Sequence, residues 1–477
     1  MKKRKYMSRI VSIALALATT VSLIGCATQS ADEVVTIEPM EIEQPAVYSF
    51  DAIGGNDVMP IVAYYAAKPI DYSWNGNNLI DAYTDEYFQL LYKDLGMNVV
   101  GQNYTYYDQY PHLVEKLMEL AEKYEVGVLV NDRRIIGVSE EVPLETIDQY
   151  ISEYSHYPAY VGNYVVDEPG YTPMTAADGH INPLDSFYTT MQNLEKLDIF
   201  GYMNMKSIRN RNHDMYEEYV NLYVENCRPK MVGFDQYPFA YTDGLDEAYL
   251  FIDNISTIRK SAEKANLPFW TFLQAGSNFS DLVGSGDTQK YYPSRAELTW
   301  SAGVALAFGT KGIQWFPVVQ PNSFSYALSQ PFDTQRNGCI SIFGNKTRWY
   351  YYAADINKQI AAVDEVLMNS VNKGVLASGD FAKGILEESN TPYVLEGDSW
   401  REVAGITGDA IVGCFNYQGK TALYVVNFDV EYAQKVTLDL VKTCNVTVTQ
   451  NAENQYISTN SLELVLEAGN GALVVFE

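Results

Sequence analysis

Histidine and cysteine are scarce in this chain of 477 residues, with 4 and 5 copies respectively. Their spacing excludes more than their number does. His112, His156, His180 and His213 stand far apart, and no two share a metal-ligand interval. There is no C-x-x-C pair, so neither a zinc site nor a redox dithiol is expected, and nothing calls for a cofactor. Basic charge is also short: 33 Lys and Arg face 60 Asp and Glu, a net charge of −27. So acidic a chain is a poor partner for nucleic acid or any anionic polymer, and a neutral ligand fits better. No glycine-rich phosphate loop follows any apolar run, which argues against a nucleotide-binding sheet.

Aromatic residues are abundant instead: 38 Tyr, 19 Phe and 6 Trp. Rings offer flat apolar faces to the C–H side of a sugar and tyrosine adds a hydroxyl, although most tyrosines serve as half-buried packing. The hydrophobic fraction of 47% is that of a globular protein, and the length allows a large core.

The first residues read as a targeting segment. A basic stretch, MKKRKYMSR, leads into an apolar one, IVSIALALATTVSLIG, followed at once by Cys26. Leu23-Ile24-Gly25-Cys26 resembles the lipobox of bacterial lipoproteins, which implies cleavage after residue 25, lipidation (palmitate among the acyl groups) at Cys26 and a place on the outer face of a membrane. The lipid anchor is then the only membrane contact expected. An acidic, polar stretch over 26–55 reads as a flexible tether.

From residue 59 short apolar runs alternate with amphipathic, helix-length segments. The runs are 59–66, 97–104, 126–132, 160–169, 200–205, 231–238, 267–276 and 311–318. They lack the in-out alternation of half-exposed strands, as parallel strands covered on both faces should. Eight such units predict a (β/α)8 TIM barrel over 56–370, with a doubly wound open sheet as the rival. From 375 to 477 the chain turns to β-branched runs punctuated by Gly, Asn and Asp, which predicts a small C-terminal antiparallel β-sandwich. The fold class is therefore α/β.

In such a barrel the C-terminal strand ends meet on one face, where chemistry sits. The fourth run delivers Asp167 and Glu168, and the sixth delivers Asp235 and Tyr237. Asn131 ends the third run, Asn204 the fifth, Gln274 the seventh, and Gln314 with Trp315 the eighth. A bowl of carboxylates, amides and aromatics suits glycoside hydrolysis of an oligosaccharide or polysaccharide: one acid protonates the leaving oxygen and a second group stabilises the sugar cation. Neighbouring acids help, because the first to ionise keeps the other protonated. Glu168 and Asp235 facing each other would retain configuration at about 5 Å and invert it beyond about 6.5 Å.

The Asp167-Glu168-Pro169 stretch resembles the strand-four motif of the large retaining barrel glycosidase clan, with Asp167 in place of its asparagine. That clan closes strand seven with a glutamate, where this chain has Gln274; Glu297 comes only in the following helix. The consecutive Asp-Glu pair is also similar to the β-N-acetylhexosaminidases of glycoside hydrolase families 20 and 123. That resemblance implies Glu168 as general acid/base, Asp167 orienting a 2-acetamido group, Tyr237 clamping it and Trp315 lying under the sugar. Plainer roles stand beside these. The two acids could complement a helix N-terminus, Tyr237 and Trp315 could be packing, and Gln274 and Asn204 structural amides. Arg295 and Glu297 read as an exposed helix face or a supporting pair. A surface lipoprotein that binds glycan without cutting it is the alternative from another class.

Overall fold

The structure is a computed structural model and describes residues 36–66, 82–103, 105–137, 142–169, 185–207, 213–239, 244–276, 292–319, 338–341 and 344–477. Cys26 and the leader lie outside the described residues.

Eight parallel strands close into a barrel: β1 (Ile61–Ala63), β2 (Val99–Val100), β3 (Gly127–Asn131), β4 (Tyr160–Asp167), β5 (Gly201–Lys206), β6 (Val232–Asp235), β7 (Phe269–Gln274) and β8 (Ile313–Phe316). Val62 pairs with Val99 on one side and Gln314 on the other, so no edge remains and the open-sheet rival is excluded. Each strand falls within one of the eight apolar runs, except that β5 runs one residue further, to Lys206.

The helices between them form as their patterns dictate. In α2 (Pro111–Lys123) Pro111 sits in the first turn, and Val114, Leu117, Met118 and Ala121 form one buried stripe. Helix α7 (Arg295–Ala307) starts with a capping box: Ser294 Oγ accepts from the Glu297 amide at 3.2 Å, and Glu297 Oε2 accepts from the Ser294 amide at 2.6 Å. Glu297 Oε1 also accepts from the Gly244 amide at 3.0 Å. Far from being an exposed helix face, Glu297 is buried and anchors a helix start.

Strand side chains alternate between the barrel interior and the helix layer. The interior holds Val62, Tyr64, Val99, Leu129, Tyr164, Tyr202, Trp270 and Phe272. Its N-terminal end is plugged by residues just ahead of β1: Tyr48 stacks on Phe200 at 4.9 Å, and Phe50 meets Phe200 and Trp270 edge-on. The opposite, C-terminal end carries the acids.

Beyond the barrel an antiparallel sheet runs β10 (Val403–Thr407), β13 (Gln434–Gln450), β15 (Gly471–Phe476), β12 (Lys420–Asn427), β11 (Ala410–Tyr417), β9 (Ser370–Ser378), with β14 (Glu453–Leu466) on β13. A register shift between Asp439 and Cys444 lets the first part of β13 pair with β10 and the second with β15, folding the sheet over its own core as a sandwich. Its alternation is apolar on both sides. Val412, Cys414, Leu423 and Val425 fill the sandwich, while Ile411, Phe415, Ala422 and Val426 join the barrel's core. Helix α7 lies between the two, and at Gly413 a Cβ would stand 2.3 Å from the Ala307 carbonyl oxygen, so only glycine allows that approach.

The acidic stretch expected as a tether is, from Ile37 on, fastened to this sheet. The Met40 amide donates to Gly419 O, Arg401 and Asn416 donate to the Glu38 and Glu41 carbonyls, and Lys373 pairs with Glu43. Cys227, Cys339, Cys414 and Cys444 are buried free thiols. Among the described residues no helix is long and apolar enough to cross a membrane, and no cluster of His, Cys, Asp and Glu could hold a metal ion.

Candidate active site

Asp167 and Glu168 are adjacent, and a regular strand would point them to opposite faces. Two local distortions bring both to the mouth. A register shift between Tyr164 and Val166 changes the phase of β4, so that Tyr164 and Asp167, three residues apart, both serve the interior. Glu168 then leaves the strand with φ of 43°, a left-handed conformation that costs a non-glycine residue about 1–3 kcal/mol. Its amide still donates to Asn204 O at 3.0 Å, which extends the β4–β5 ladder by one bond.

Asp167 is open on the side of the mouth and ringed by protein on its others. Asn204, its partner across the ladder, donates Nδ2 to Asp167 Oδ1 at 3.0 Å. The Tyr64 hydroxyl bonds the same carboxyl and lies 2.8 Å from the Tyr164 hydroxyl. The protein packed around it pushes the Asp167 carboxyl above its usual range, against the pull of Asn204 and Tyr64.

Asp235 ends β6, buried at 8% exposure and in register with Lys206 of β5. Burial first, then the charge and hydrogen bond of Glu168, hold its carboxyl well above the carboxylate range. Its Oδ1 has no partner among the described residues. Glu168 and Asp235 thus both stand at the mouth, and the charge of Glu168 acts on the Asp235 carboxyl. Lys206, which the sequence reading missed, places Nζ 3.5 Å from Glu168 Oε2. It stands two residues beyond Asn204 and so on the same face, which was the signal for it.

Tyr237 follows Asp235 by two residues, and burial and the nearby acids keep its hydroxyl protonated. It stacks on Phe316 with ring centroids 6.1 Å apart. Trp315, expected under the sugar, is fully buried in the helix-facing core and donates Nε1 to Asn357 Oδ1 at 2.7 Å. The aromatic at the end of β8 on the interior side is its neighbour Phe316, an offset of one residue that changes the face. Gln314, two before Phe316, is buried inside the barrel and accepts from the Tyr202 hydroxyl at 2.5 Å.

Two of the expected ligand contacts are structural. Gln274 donates to Phe239 O and Gly276 O and accepts from the Phe239 amide, so its amide staples the loop after β6 to β7. Asn131 is buried and donates to Asn103 Oδ1 at 3.3 Å, while its carbonyl accepts from the Tyr107 amide at 2.8 Å. Asn204 holds Asp167, though its own Oδ1 is unpartnered among the described residues.

No protein-family model matches the chain, and no curated protein matches it. Among solved structures it is similar to a GH30 endoxylanase from Clostridium papyrosolvens, with 12% identity over 91% of this chain and 98% of that one and a TM-score of 0.43. It is also similar to a family 51 alpha-L-arabinofuranosidase from Bifidobacterium longum (10%, 93% and 98%, 0.44). A third is a putative alpha-galactosidase from Bacteroides fragilis (8%, 88% and 79%, 0.46). Likenesses this distant say nothing about what the chain acts on.

Proposed function

We propose that the protein is a glycoside hydrolase of neutral extracellular glycans, with Glu168 as general acid/base. The observation that supports it is the gathering of Asp167, Glu168 and Asp235 at the barrel mouth beside the Tyr237–Phe316 stack, with burial pushing the Asp167 and Asp235 carboxyls above their usual range. Several carboxyls in unlike surroundings are what leaving-group protonation requires. Asp167, fixed by Asn204 and Tyr64 yet open to the mouth, suits the orientation of a 2-acetamido group whose oxygen attacks the sugar carbon itself. Gln274 closes β7 without an acid, which favours substrate assistance over attack by a carboxylate from that strand.

The basic and apolar leader ending at Cys26 supports export and lipid anchoring outside the cell. A Cys26→Ala chain recovered in the soluble fraction, without incorporated palmitate, is the expected result; unchanged membrane retention would overturn the anchor.

The test of activity is hydrolysis of aryl glycosides of 2-acetamido sugars, beside their 2-hydroxy counterparts, by the leaderless protein and by Glu168→Gln. Turnover confined to acetamido sugars and lost in the variant is expected. Turnover of hydroxy sugars would overturn substrate assistance. Glycan binding without turnover of any substrate would leave a binding protein.

A further inference from the structure

We propose that Tyr65, just past the end of β1, binds a second sugar unit of the glycan, across the mouth from the acids. The proposal rests on the reading of the mouth as a glycan site, but not on turnover there.

Alternation along β1 sends Val62 and Tyr64 to the barrel interior, and Ile61 and Ala63 to the helix layer. Tyr65 should follow Ile61 and Ala63 outward. Instead, with φ of 61°, it turns back and packs on the interior cluster, as Tyr237 and Phe316 do. That conformation strains any residue but glycine and persists only where the surroundings hold it. Four backbone bonds do so here. The Tyr64 amide donates to Trp315 O at 3.1 Å and the Ala66 amide to Gln102 O at 3.2 Å. Tyr64 O and Tyr65 O accept from the Val318 and Val319 amides at 3.0 and 3.2 Å. The turn is therefore made by main-chain groups, and glycine would adopt it without strain. A large ring stands where the backbone calls for none, so the ring itself is what the position keeps. Glu168 leaves β4 by the same device.

The ring completes a corner. Phe316 and Tyr237 lie within 23° of parallel and form a floor, and Tyr65 meets Phe316 at 82° with centroids 5.6 Å apart, as a wall. All three rings are half-buried. Two strands separate β1 from β4 on one side and two separate it from β6 on the other, so Tyr65 stands opposite β5. A glycan with one unit at the acids and the floor thus reaches Tyr65 with the next unit as it crosses the mouth. There the ring takes the C–H face of that unit and the hydroxyl bonds its oxygens, with no charge required of the ligand.

The test is calorimetric titration of diacetylchitobiose, cellobiose and lactose, beside N-acetylglucosamine, glucose and galactose, into the leaderless protein and its Tyr65→Gly, Tyr65→Ala and Tyr65→Phe variants. The wild type should bind at least one disaccharide more tightly than its monosaccharides. Tyr65→Gly and Tyr65→Ala should both weaken that binding about tenfold, and Tyr65→Phe much less. Thermal melting separates this role from packing. Glycine relieves the strained turn and alanine does not, so Tyr65→Gly should melt above Tyr65→Ala and close to wild type. No disaccharide gain in the wild type, a gain that survives in Tyr65→Gly, or a melting temperature that falls as far in Tyr65→Gly as in Tyr65→Ala would each overturn the proposal. If the gain is present and lost in Tyr65→Gly while no glycoside is turned over, the glycosidase reading fails and this subsite stands. Turnover that Glu168→Gln abolishes, without any disaccharide gain, overturns the subsite alone.

Discussion

The Tyr219 hydroxyl donates to the Pro169 carbonyl at 2.7 Å, and accepts from the Lys206 amide at 3.4 Å. One buried side chain on the helix His213–Cys227 thereby ties the ends of β4 and β5, next to Glu168 and Lys206. Glu168 precedes a proline and sits in the left-handed region, a combination that persists only when neighbours impose it. Tyr219→Phe removes one of those restraints with little change in volume. The expected outcome is a kcat about tenfold lower with KM little changed, read by steady-state kinetics. An unaltered kcat would mean that the Glu168 amide bond to Asn204 suffices.

Trp315 and Phe316 are adjacent and should behave oppositely. Trp315→Phe breaks the bond to Asn357 in a packed core, at a cost of about 2–4 kcal/mol, and should leave glycan affinity alone. Phe316→Ala removes half of the stack with Tyr237 and should weaken glycan binding by about 1–2 kcal/mol. Thermal melting and glycan titration of both variants separate the effects; loss of glycan affinity in Trp315→Phe alone would restore the role expected for that residue.

Asp364 accepts from the Met59 amide at 3.2 Å and the Glu365 amide at 2.8 Å, and burial raises its carboxyl to about 6 against those bonds. The raised value means that its support for the fold is full below about pH 4 and lost as pH rises to about 6. The melting temperature of Asp364→Asn relative to wild type should therefore climb across that window and level off above it. A difference independent of pH would show that the carboxyl titrates as in the unfolded chain.

Lys311 is buried with its ammonium donating to the carbonyls of Leu367, Met368 and Ser370. Lys311→Met fits the stem but strands three acceptors, and should cost about 2–4 kcal/mol. Chemical denaturation checks the figure. Because this lysine lies at the start of β8, away from the mouth, kcat should not change.

The apolar runs already place all eight strands, because a strand buried on both faces must be apolar along its length and nothing else in the chain combines that pattern with helix-length spacers. The change of texture after 375 marks the sandwich for the same reason, each side of its strands meeting a core. Asp167, Glu168, Asp235 and Tyr237 were legible as strand-end polar groups that no core explains.

Orientation was not legible, since it turns on single-residue phase. A register shift in β4 and one positive φ bring two adjacent acids to one mouth, while regular alternation in β8 sends Trp315 to the core and Phe316 to the site. Partnership was hidden too. Gln274 exchanges hydrogen bonds with the Phe239 backbone, 35 residues away in sequence, and Tyr219 finds Pro169 at a separation of 50. Local sequence determined which segments are strands, helices and strand ends, because burial period and capping act over a few residues. Only the pairing and register of β4, β5 and β6 decided that Asn204 would hold Asp167 and that Lys206 would stand opposite Asp235 while reaching Glu168, because those contacts join residues on three separate strands.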